Sequence, residues 1–210
     1  MSASGRMGLL GGTFDPIHYG HLDIADAARR HLALDGVTFI PSHDPPHRLD
    51  PHASVFHRFA MAALAAADYE MAVSDLELRR DGPSYTALTL EALHREGFLP
   101  SEIYFITGSD AFAEVSTWYD YPRILTLANF VVVSRPGAPP PSALIPDLQS
   151  STPTGPTVVS VEANTPDVSS TEIRRRVGAG ESIDGLVPPS VAGHIRRHRL
   201  YVPAPVTAAL

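Results

Sequence analysis

The chain has 210 residues and a formal net charge of −7, a length that suits one α/β domain with at most a small appendage. Because no basic excess is available to displace counterions, the composition argues against a non-specific nucleic-acid-binding protein. Cysteine and lysine are both absent, which excludes disulfides, thiolate zinc sites, Schiff-base chemistry and the lysine-dependent phosphate loop of P-loop enzymes.

The first stretch combines an apolar strand over residues 7–10, the glycine-rich sequence GGTFDP (residues 11–16) and a helical pattern over residues 23–32. This order offers backbone N–H groups and a helix N-terminus to an anion. His18 and His21 are three residues apart at the helix start, so they project to the same side, where both could donate to phosphate oxygens. Neither the dinucleotide fingerprint G-x-G-x-x-G nor the P-loop motif is present here.

The second strand is predicted over Gly36–Pro41, a short apolar run bounded by glycine and proline. A strand–helix–strand order implies a right-handed crossover and a parallel sheet. The loop after this strand leaves its carboxyl end, where ligands collect in open α/β sheets. Its prolines forbid a helix, so His43 and His47 cannot form an i,i+4 metal pair. Arg48 in this loop is either a phosphate ligand or a solvated cation.

The middle of the chain predicts a helix over residues 54–67 with Ser54 as its N-cap, and short strands over residues 69–73 and 76–78. A turn over residues 81–86 precedes a helix over residues 87–96. The hydroxyl-rich start of that helix is either a second anion site or a plain cap, and plain capping is the simpler interpretation.

An apolar strand over residues 103–107 ends in Gly108-Ser109-Asp110. As after the first strand, a glycine allows the main chain to approach a ligand closely, and Asp110 adds a carboxylate suited to ribose hydroxyls. Trp118 follows; it could stack on a heteroaromatic ring or only anchor its loop on the core. A further strand of β-branched residues is predicted over Asn129–Ser134.

Residues 136–156 are rich in proline and indicate a surface excursion or flexible linker. After a strand over residues 157–161, hydroxyl caps lead into a helix whose first turn also presents Arg174. The last helix is predicted over Pro189–His198. Its His194 and His198 are spaced i,i+4, but without a third ligand we interpret them as surface residues rather than metal ligands.

The predicted fold class is α/β, a Rossmann-like doubly wound, mainly parallel sheet with helices on both faces and a small C-terminal helical segment. We predict a single domain over residues 1–202, its C-terminal helical part over residues 168–202, and a disordered tail over residues 203–210. We see neither a signal peptide nor an apolar run long enough to span a bilayer, so we expect a cytoplasmic protein without a membrane partner. Homo-oligomer formation is left open.

Seven motifs in one order resemble the bacterial nicotinate-nucleotide adenylyltransferases, which carry the T/H-x-G-H signature of nucleotidyltransferases. They are GGTFDPIHYGH, IPSHDPPHR, DGPSYTALTL, FITGSDAF, VVVSRPG, SSTEIRRRV and LVPPSV, and the resemblance covers about residues 7–202. The chain departs from the family in Arg48, where lysine is frequent, in Leu88, often aspartate, and in a longer proline-rich excursion. The Arg48 replacement changes the geometry of the cation.

The resemblance implies adenylyl transfer from ATP to nicotinate mononucleotide, giving deamido-NAD and pyrophosphate, with Mg²⁺ carried on the ATP phosphates. It assigns catalysis to His18, His21 and Arg174. It assigns the binding of ATP to those three and to Gly11, Gly12, Thr13, Phe14, Gly108, Asp110, Ser169, Ser170 and Thr171. It assigns the binding of the mononucleotide to Arg48, Ser84, Tyr85, Thr86 and Trp118.

Other acceptors stay open at this point. Nicotinamide mononucleotide differs only at the amide, and the pantetheine-phosphate adenylyltransferases and glycerol-phosphate cytidylyltransferases share the first motif. The combination of PPHR, GPSYT and Trp118 favours the nicotinate family over the latter two. A catalytically silent nucleotide sensor is a different class of protein, and the presence of both histidines and Arg174 argues against it.

Overall fold

The computed structural model describes residues 5–46, 51–144 and 156–203. The strands are β1 Met7–Gly12, β2 Gly36–Pro41, β3 Ala72–Val73, β4 Ile103–Gly108, β5 Asn129–Ser134 and β6 Val158–Glu162. The helices are α1 Tyr19–Leu32, α2 Val55–Ala67, α3 Thr86–Arg95, α4 Ser109–Ala113, α5 Pro141–Leu144, α6 Ser170–Gly178 and α7 Pro189–His198, with 3-10 turns at Val115–Thr117 and Arg123–Thr126. None of the helices in the described ranges is long and apolar enough to cross a membrane.

The six strands form one sheet in the order β3-β2-β1-β4-β5-β6, and every neighbouring pair is parallel. The chain builds outward from β1 in one direction and from β4 in the other, so the strand order reverses between β1 and β4. In open α/β sheets a ligand crevice forms at the carboxyl ends of the strands at such a switch point. The predicted fold class is confirmed.

Hydrophobic clusters cover both faces of the sheet. Successive residues of β1 face opposite sides, so Leu9 packs with α3 residues such as Leu90, while Leu10 packs with α1 residues such as Leu22. The cluster on the α1 side also receives Met61 from α2 and Ile195 from α7. Because helices bury both faces, the central strands have nearly unbroken apolar sequences, which is typical of parallel sheets.

The short strands predicted after α2 are wrong in part. Residues 76–78 form a turn, and the strand predicted over residues 69–73 is reduced to Ala72–Val73, which pairs with Thr38 and Phe39 at the sheet edge. In the proline-rich excursion, residues 136–140 are exposed or half-buried, whereas Pro141 is buried and α5 packs against α4 and β6. The remainder of the excursion, residues 145–155, and the predicted tail beyond residue 203 lie outside the described residues.

Candidate active site

One cleft of about 350 Å³ opens at the carboxyl edge of the sheet, between the turns that follow β1 and β4 and the starts of α3 and α6. It brings together most of the residues that the sequence predicted. Those in its lining are Gly11, Gly12, Thr13, Phe14, His21, Ser84, Tyr85, Thr86, Gly108, Trp118 and Ser170. The expected convergence of separate turns on one site is therefore present in the structure.

The two glycines after β1 serve different purposes. Phe14 is buried with a left-handed φ of 50°, and its ring packs edge-on against Phe39 and His21. A Cβ on Gly12 would lie 2.8 Å from Cε1 of Phe14, closer than atoms tolerate, whereas a Cβ on Gly11 would make an ordinary 3.5 Å contact with Phe105. Gly12 is thus required by the packing of the turn itself.

Asp15 ties this turn to distant parts of the chain. Its buried carboxylate accepts hydrogen bonds from the backbone N–H groups of His52 (2.8 Å) and Ala53 (3.1 Å) and from the hydroxyl of Tyr201 (2.8 Å). Burial, followed by the nearby Asp15 carboxylate, raises the pKa of Tyr201, so the hydroxyl remains a proton donor. The resemblance did not assign a role to Asp15 or to Tyr201.

Arg58 is a further structural residue that the sequence reasoning missed. It is 1% exposed and donates to three backbone carbonyls, those of Thr13 (2.7 Å), His43 (3.3 Å) and Ala53 (3.3 Å). Burial lowers the pKa of its guanidinium, and the charge of Asp15 opposes that shift. Arg58 joins the loops after β1 and β2.

A signal for Arg58 was available in the sequence. On α2 it precedes Met61, Ala62 and Ala65 by three, four and seven residues, and all of these are buried. That spacing places the arginine on the apolar face of the helix, where a cation needs several acceptors.

His18 and His21 form one stacked unit, as their spacing predicted. Their ring centroids are 3.7 Å apart, and the backbone N–H of His18, the N-cap of α1, donates to Nδ1 of His21 at 3.3 Å. Since Nδ1 accepts that bond, the proton of a neutral His21 lies on Nε2. His21 lines the cleft, and His18 is buried behind it.

Burial lowers the pKa of His18 to about 4, so its ring is neutral at pH 7 in the free protein. Within the described part of the chain, Nδ1 of His18 is buried without a hydrogen-bond partner. A neutral ring holds one proton, and the approach of a phosphate would favour the protonated form.

The start of α3 is attached to the loop after β2. The Ser84 hydroxyl accepts from the backbone N–H groups of His43 (2.8 Å) and Asp44 (3.3 Å). The N-cap of α3 is Tyr85, and no described side chain makes a cap hydrogen bond there, so the interpretation of this hydroxyl-rich start as a plain cap is wrong. Tyr85 stacks on Tyr119 with ring centroids 4.5 Å apart.

Trp118 combines the two roles that its sequence context allowed, bordering the ligand space and anchoring its loop on the core. It lines the cleft and also packs edge-on against Phe105, with ring centroids 6.2 Å apart. The indole is therefore anchored on the core while part of it faces the space that a ligand would occupy.

The first turn of α6 reaches back to the turn after β1. Ser170 Oγ donates to the carbonyl of Pro16 (2.9 Å), and Arg174 Nη1 donates to the carbonyl of Asp15 (2.6 Å). Arg174 Nη2 also donates to Thr171 Oγ1 (3.3 Å), while the predicted cap Ser169 accepts from the backbone N–H of Glu172 (3.2 Å). Ser169 and Thr171 are exposed beside the cleft rather than in its lining.

Of the predicted site residues, Asp110 and Arg48 are not among those that the structure places in the cleft lining. Asp110 is exposed in the first turn of α4 and does not line the cleft, and Arg48 lies outside the described residues. Gly108 does line the cleft, and a Cβ added to it would meet nothing within 4 Å. The main chain at Gly108 therefore borders open space.

A larger hollow of about 900 Å³ lies at the opposite, amino edge of the sheet. Its lining carries four carboxylates, Asp35, Glu70, Glu96 and Glu102, against the single cation Arg6, so its net charge disfavours a phosphate ligand. The smaller cleft has the glycine-rich turn, the helix start and the imidazole that an anionic ligand needs. Fold and cleft together define a nucleotide-binding protein of the Rossmann-like class.

Comparisons with known proteins give the family. The cytidylyltransferase-like family model matches residues 9–176. A protein of Roseiflexus sp. (strain RS-1) named probable nicotinate-nucleotide adenylyltransferase is 46% identical over 202 residues, covering 95% of this chain and 99% of the relative. A relative of the same name from Thermus thermophilus is 43% identical over 197 residues, covering 93% and 99%. The chain belongs to the cytidylyltransferase-like family, among its nicotinate-nucleotide adenylyltransferases.

The fold is also shared with a solved structure. Plasmodium falciparum nicotinic acid mononucleotide adenylyltransferase complexed with NaAD superposes with a TM-score of 0.72 at 17% identity, covering 94% of this chain and 97% of that chain. At this level of identity the likeness concerns the architecture, and it supports the doubly wound parallel sheet.

Proposed function

We propose that this chain transfers the adenylyl group of ATP to nicotinate mononucleotide, producing deamido-NAD and pyrophosphate in NAD biosynthesis. The observation that carries the proposal is the single cleft at the sheet's switch point, which gathers the turns after β1 and β4 and the starts of α3 and α6. The names of the relatives supply the substrates. A cytoplasmic location is part of the same proposal.

The proposed reaction needs positioning and charge stabilisation rather than a general base. The nucleophile is a phosphate oxygen of the mononucleotide, already ionised at neutral pH because the second pKa of a phosphomonoester is about 6. It forms a bond to the α-phosphorus of ATP while the bond from that phosphorus to the bridging oxygen breaks, and pyrophosphate leaves in line. Negative charge spreads over the phosphoryl oxygens in the transition state, where fixed N–H donors stabilise it.

For ATP, we assign the triphosphate to the surface between the turn after β1 and the start of α6. Gly11, Gly12, Thr13 and Phe14 supply main chain there, and His21 presents its Nε2 proton. His18 stacks on His21 and holds its orientation.

Arg174 and the hydroxyls of Ser169, Ser170 and Thr171 complete the phosphate side. Arg174 is held beside the turn by its bond to the Asp15 carbonyl, which fixes a permanent cation where a lysine-free chain needs one. We assign the adenosine ribose to Gly108 and Asp110, the former through its close main-chain approach.

For the mononucleotide, we assign the nicotinate ring to the aromatic side of the cleft. Trp118 offers the face for stacking, and the backbone N–H of Thr86 in the first turn of α3 receives the carboxylate. Tyr85 lines this side of the cleft, but its N–H donates to the Pro83 carbonyl (3.0 Å). Ser84 holds the loop after β2, since its N–H donates to the Asp44 carbonyl (2.8 Å) and its hydroxyl accepts two N–H groups. Arg48 is assigned to the mononucleotide phosphate.

We propose that Mg²⁺ enters with ATP rather than residing in a protein cage. Two carboxylates in or next to the cleft lining are already engaged: Asp15 accepts three hydrogen bonds, and Glu77 accepts from Thr89 Oγ1 at 2.5 Å. The ion would neutralise part of the triphosphate charge, while the protein supplies the N–H and guanidinium donors.

An acceptor panel tests the proposed function. Purified protein with ATP and Mg²⁺ is offered nicotinate mononucleotide, nicotinamide mononucleotide and phosphopantetheine in parallel, and with CTP it is offered glycerol phosphate; pyrophosphate release is measured in each case. We expect the fastest release with nicotinate mononucleotide. Release only with phosphopantetheine, or only with CTP and glycerol phosphate, contradicts the proposal. Calorimetric binding of ATP without pyrophosphate release for any acceptor would instead support a nucleotide sensor.

A further inference from the structure

Helices α2 and α7 are antiparallel neighbours, and three imidazoles meet where α2 begins and α7 ends. At the other end of the pair, Ser190 Oγ donates to Asp68 at 3.0 Å. At the histidine end, Nδ1 of His57 lies 3.1 Å from Nε2 of His194. The ring centroid of His198 lies 4.8 Å from that of His57 and 4.4 Å from that of His194.

We propose that His57, His194 and His198 form a binding site for a divalent transition-metal ion that prefers imidazole, with Zn²⁺ as the reference ion. One ring nitrogen of each residue lies within 4.8 Å of the other two. Two nitrogens bound to one zinc at about 2.0–2.1 Å in a tetrahedral site are about 3.3 Å apart. The His57–His194 pair, at 3.1 Å, already has that separation.

The remaining adjustment falls on the most exposed of the three residues. His198 is exposed at the last position of α7, whereas His57 and His194 are half-buried between the helices. A change of side-chain rotamer at an exposed position is inexpensive, so His198 can approach the other two nitrogens without moving the backbone. Three imidazoles leave a fourth tetrahedral position for water.

The ligand type of the cluster suits a transition metal, since all three side chains are imidazoles. Neutral imidazole is the form that binds a metal, and imidazole suits Zn²⁺, Cu²⁺ and Ni²⁺ better than it suits Mg²⁺. The site is thus chemically distinct from the Mg²⁺ that would accompany ATP.

A bound ion would link two helices that are far apart in the sequence. His57 and His194 are separated by 137 positions, so coordination would close the α2–α7 interface at the end opposite the Asp68–Ser190 hydrogen bond. Arg58, the next residue after His57, holds the Thr13 carbonyl in the cleft turn. The proposed ion therefore stabilises the helix pair that supports one wall of the cleft, whether or not the proposed reaction is correct.

The test uses the full chain without an affinity tag, freed of metal with a chelator and then titrated with ZnCl₂ in the absence of nucleotide. Calorimetry is expected to show one Zn²⁺ per chain with a micromolar or tighter Kd, and Zn²⁺ is expected to raise the Tm by about 5 °C. In the absence of metal, His198→Ala should keep the circular dichroism spectrum and Tm of the parent, because His198 is exposed.

Variants from both helices establish which residues bind the ion. His198→Ala and His57→Gln are each expected to weaken Zn²⁺ binding at least 100-fold and to remove the Tm increase. The matched control is His31→Ala, since His31 is also an exposed histidine in the last turn of a helix; it should bind Zn²⁺ like the parent. Absence of Zn²⁺ binding by the parent, or undiminished binding by either His198→Ala or His57→Gln, overturns the proposal.

Discussion

Two histidine clusters occupy different places in this molecule, although both begin as a pair on one helix. His18 and His21 start α1 and stack at 3.7 Å beside the glycine-rich turn. His194 and His198 end α7, where their rings are 4.4 Å apart and meet His57 of α2. Spacing along a helix predicts that two side chains meet. What the pair can bind depends on the elements that other parts of the chain bring to it.

The surroundings of the two pairs point to opposite ligands. At the α1 pair, main-chain N–H groups, a helix N-terminus and Arg174 bound to the Asp15 carbonyl create an environment for an anion. At the α7 pair, a third imidazole approaches to 3.1 Å and creates an environment for a cation. Substitutions at His18 and Gly108 test the anion site, and a substitution at Arg58 tests the residue that connects α2 to the turn of that site.

Arg58→Met should have the largest effect, because Arg58 follows His57 on α2 and holds the turn that carries Phe14. The change leaves the carbonyls of Thr13, His43 and Ala53 without their buried donor. We expect the free energy of unfolding to fall by about 3 kcal/mol, since a buried polar group without a partner costs about 1–3 kcal/mol. Urea denaturation measures the loss.

The control for Arg58 is Arg30→Met, which removes an exposed arginine paired with Asp26 on α1. Exposed ion pairs of this kind contribute little, so its stability should match that of the parent. Equal effects of the two substitutions would show that Arg58 does not hold the turn.

His18→Ala should lower kcat/KM with ATP and nicotinate mononucleotide about hundredfold, equivalent to ~2.7 kcal/mol of barrier. The substitution removes the ring that stacks on His21 at the start of α1. Steady-state pyrophosphate release measures the effect, and His31→Ala serves as the control with unchanged activity. Turnover within about tenfold of the parent would show that the role assigned to His18 is wrong.

The buried position of His18 also predicts a pH dependence of stability. Its pKa is about 4 in the folded protein against a reference of 6.5, so the unfolded chain binds a proton first as the pH falls below 6.5. Stability is therefore lost on acidification, by about 2 kcal/mol from this group between pH 7 and pH 5, and the loss is complete below the folded pKa.

Urea denaturation at pH 7 and pH 5 compares the parent with His18→Asn, which does not titrate. The variant should lose about 2 kcal/mol less than the parent over this interval. Other titrating groups, including His194 with its lowered pKa, are common to both proteins and cancel in the difference. Identical losses would mean that His18 is not buried in its neutral form.

Gly108→Ala should have the smallest effect, a rise of about tenfold in KM for ATP, or ~1.4 kcal/mol, without loss of stability. The added Cβ meets nothing within 4 Å, and φ of −76° accepts alanine, so the methyl group intrudes only on the ligand's space. Gly36→Ala is the matched control, because its Cβ also meets open space but lies on the amino-edge hollow. An unchanged KM would place ATP elsewhere.

The local sequence pattern was sufficient to predict most of the strands and helices. The apolar runs of β2 and β5 matched the structure over Gly36–Pro41 and Asn129–Ser134, and Ser54 caps α2 as predicted, its side chain accepting from His57 N–H. The prediction of a strand over residues 76–78 was wrong. The backbone N–H of Leu76 donates to Ser74 Oγ, so the chain turns there and does not extend the edge strand.

The candidate site divides in the same way. The glycine-rich turn, the stacked histidines and the cap at Ser169 were predictable, because each depends on residues within a few positions of one another. Asp15 and Arg58 were missed since their partners are remote: Asp15 accepts from Tyr201, 186 positions away, and Arg58 donates to Thr13, 45 positions away.

Hydrophobic periodicity and contiguous motifs were enough to specify the class of sheet, the glycine-rich turn and the family. The contacts that complete each site became known only from the folded chain. Folding placed Arg174 on the turn after β1, engaged the Ser84 hydroxyl with the loop after β2, and brought His57 to a pair of histidines that lacked a third ligand in the sequence. Contacts between distant segments arise from the packing of helices against the sheet, so local sequence patterns do not predict them.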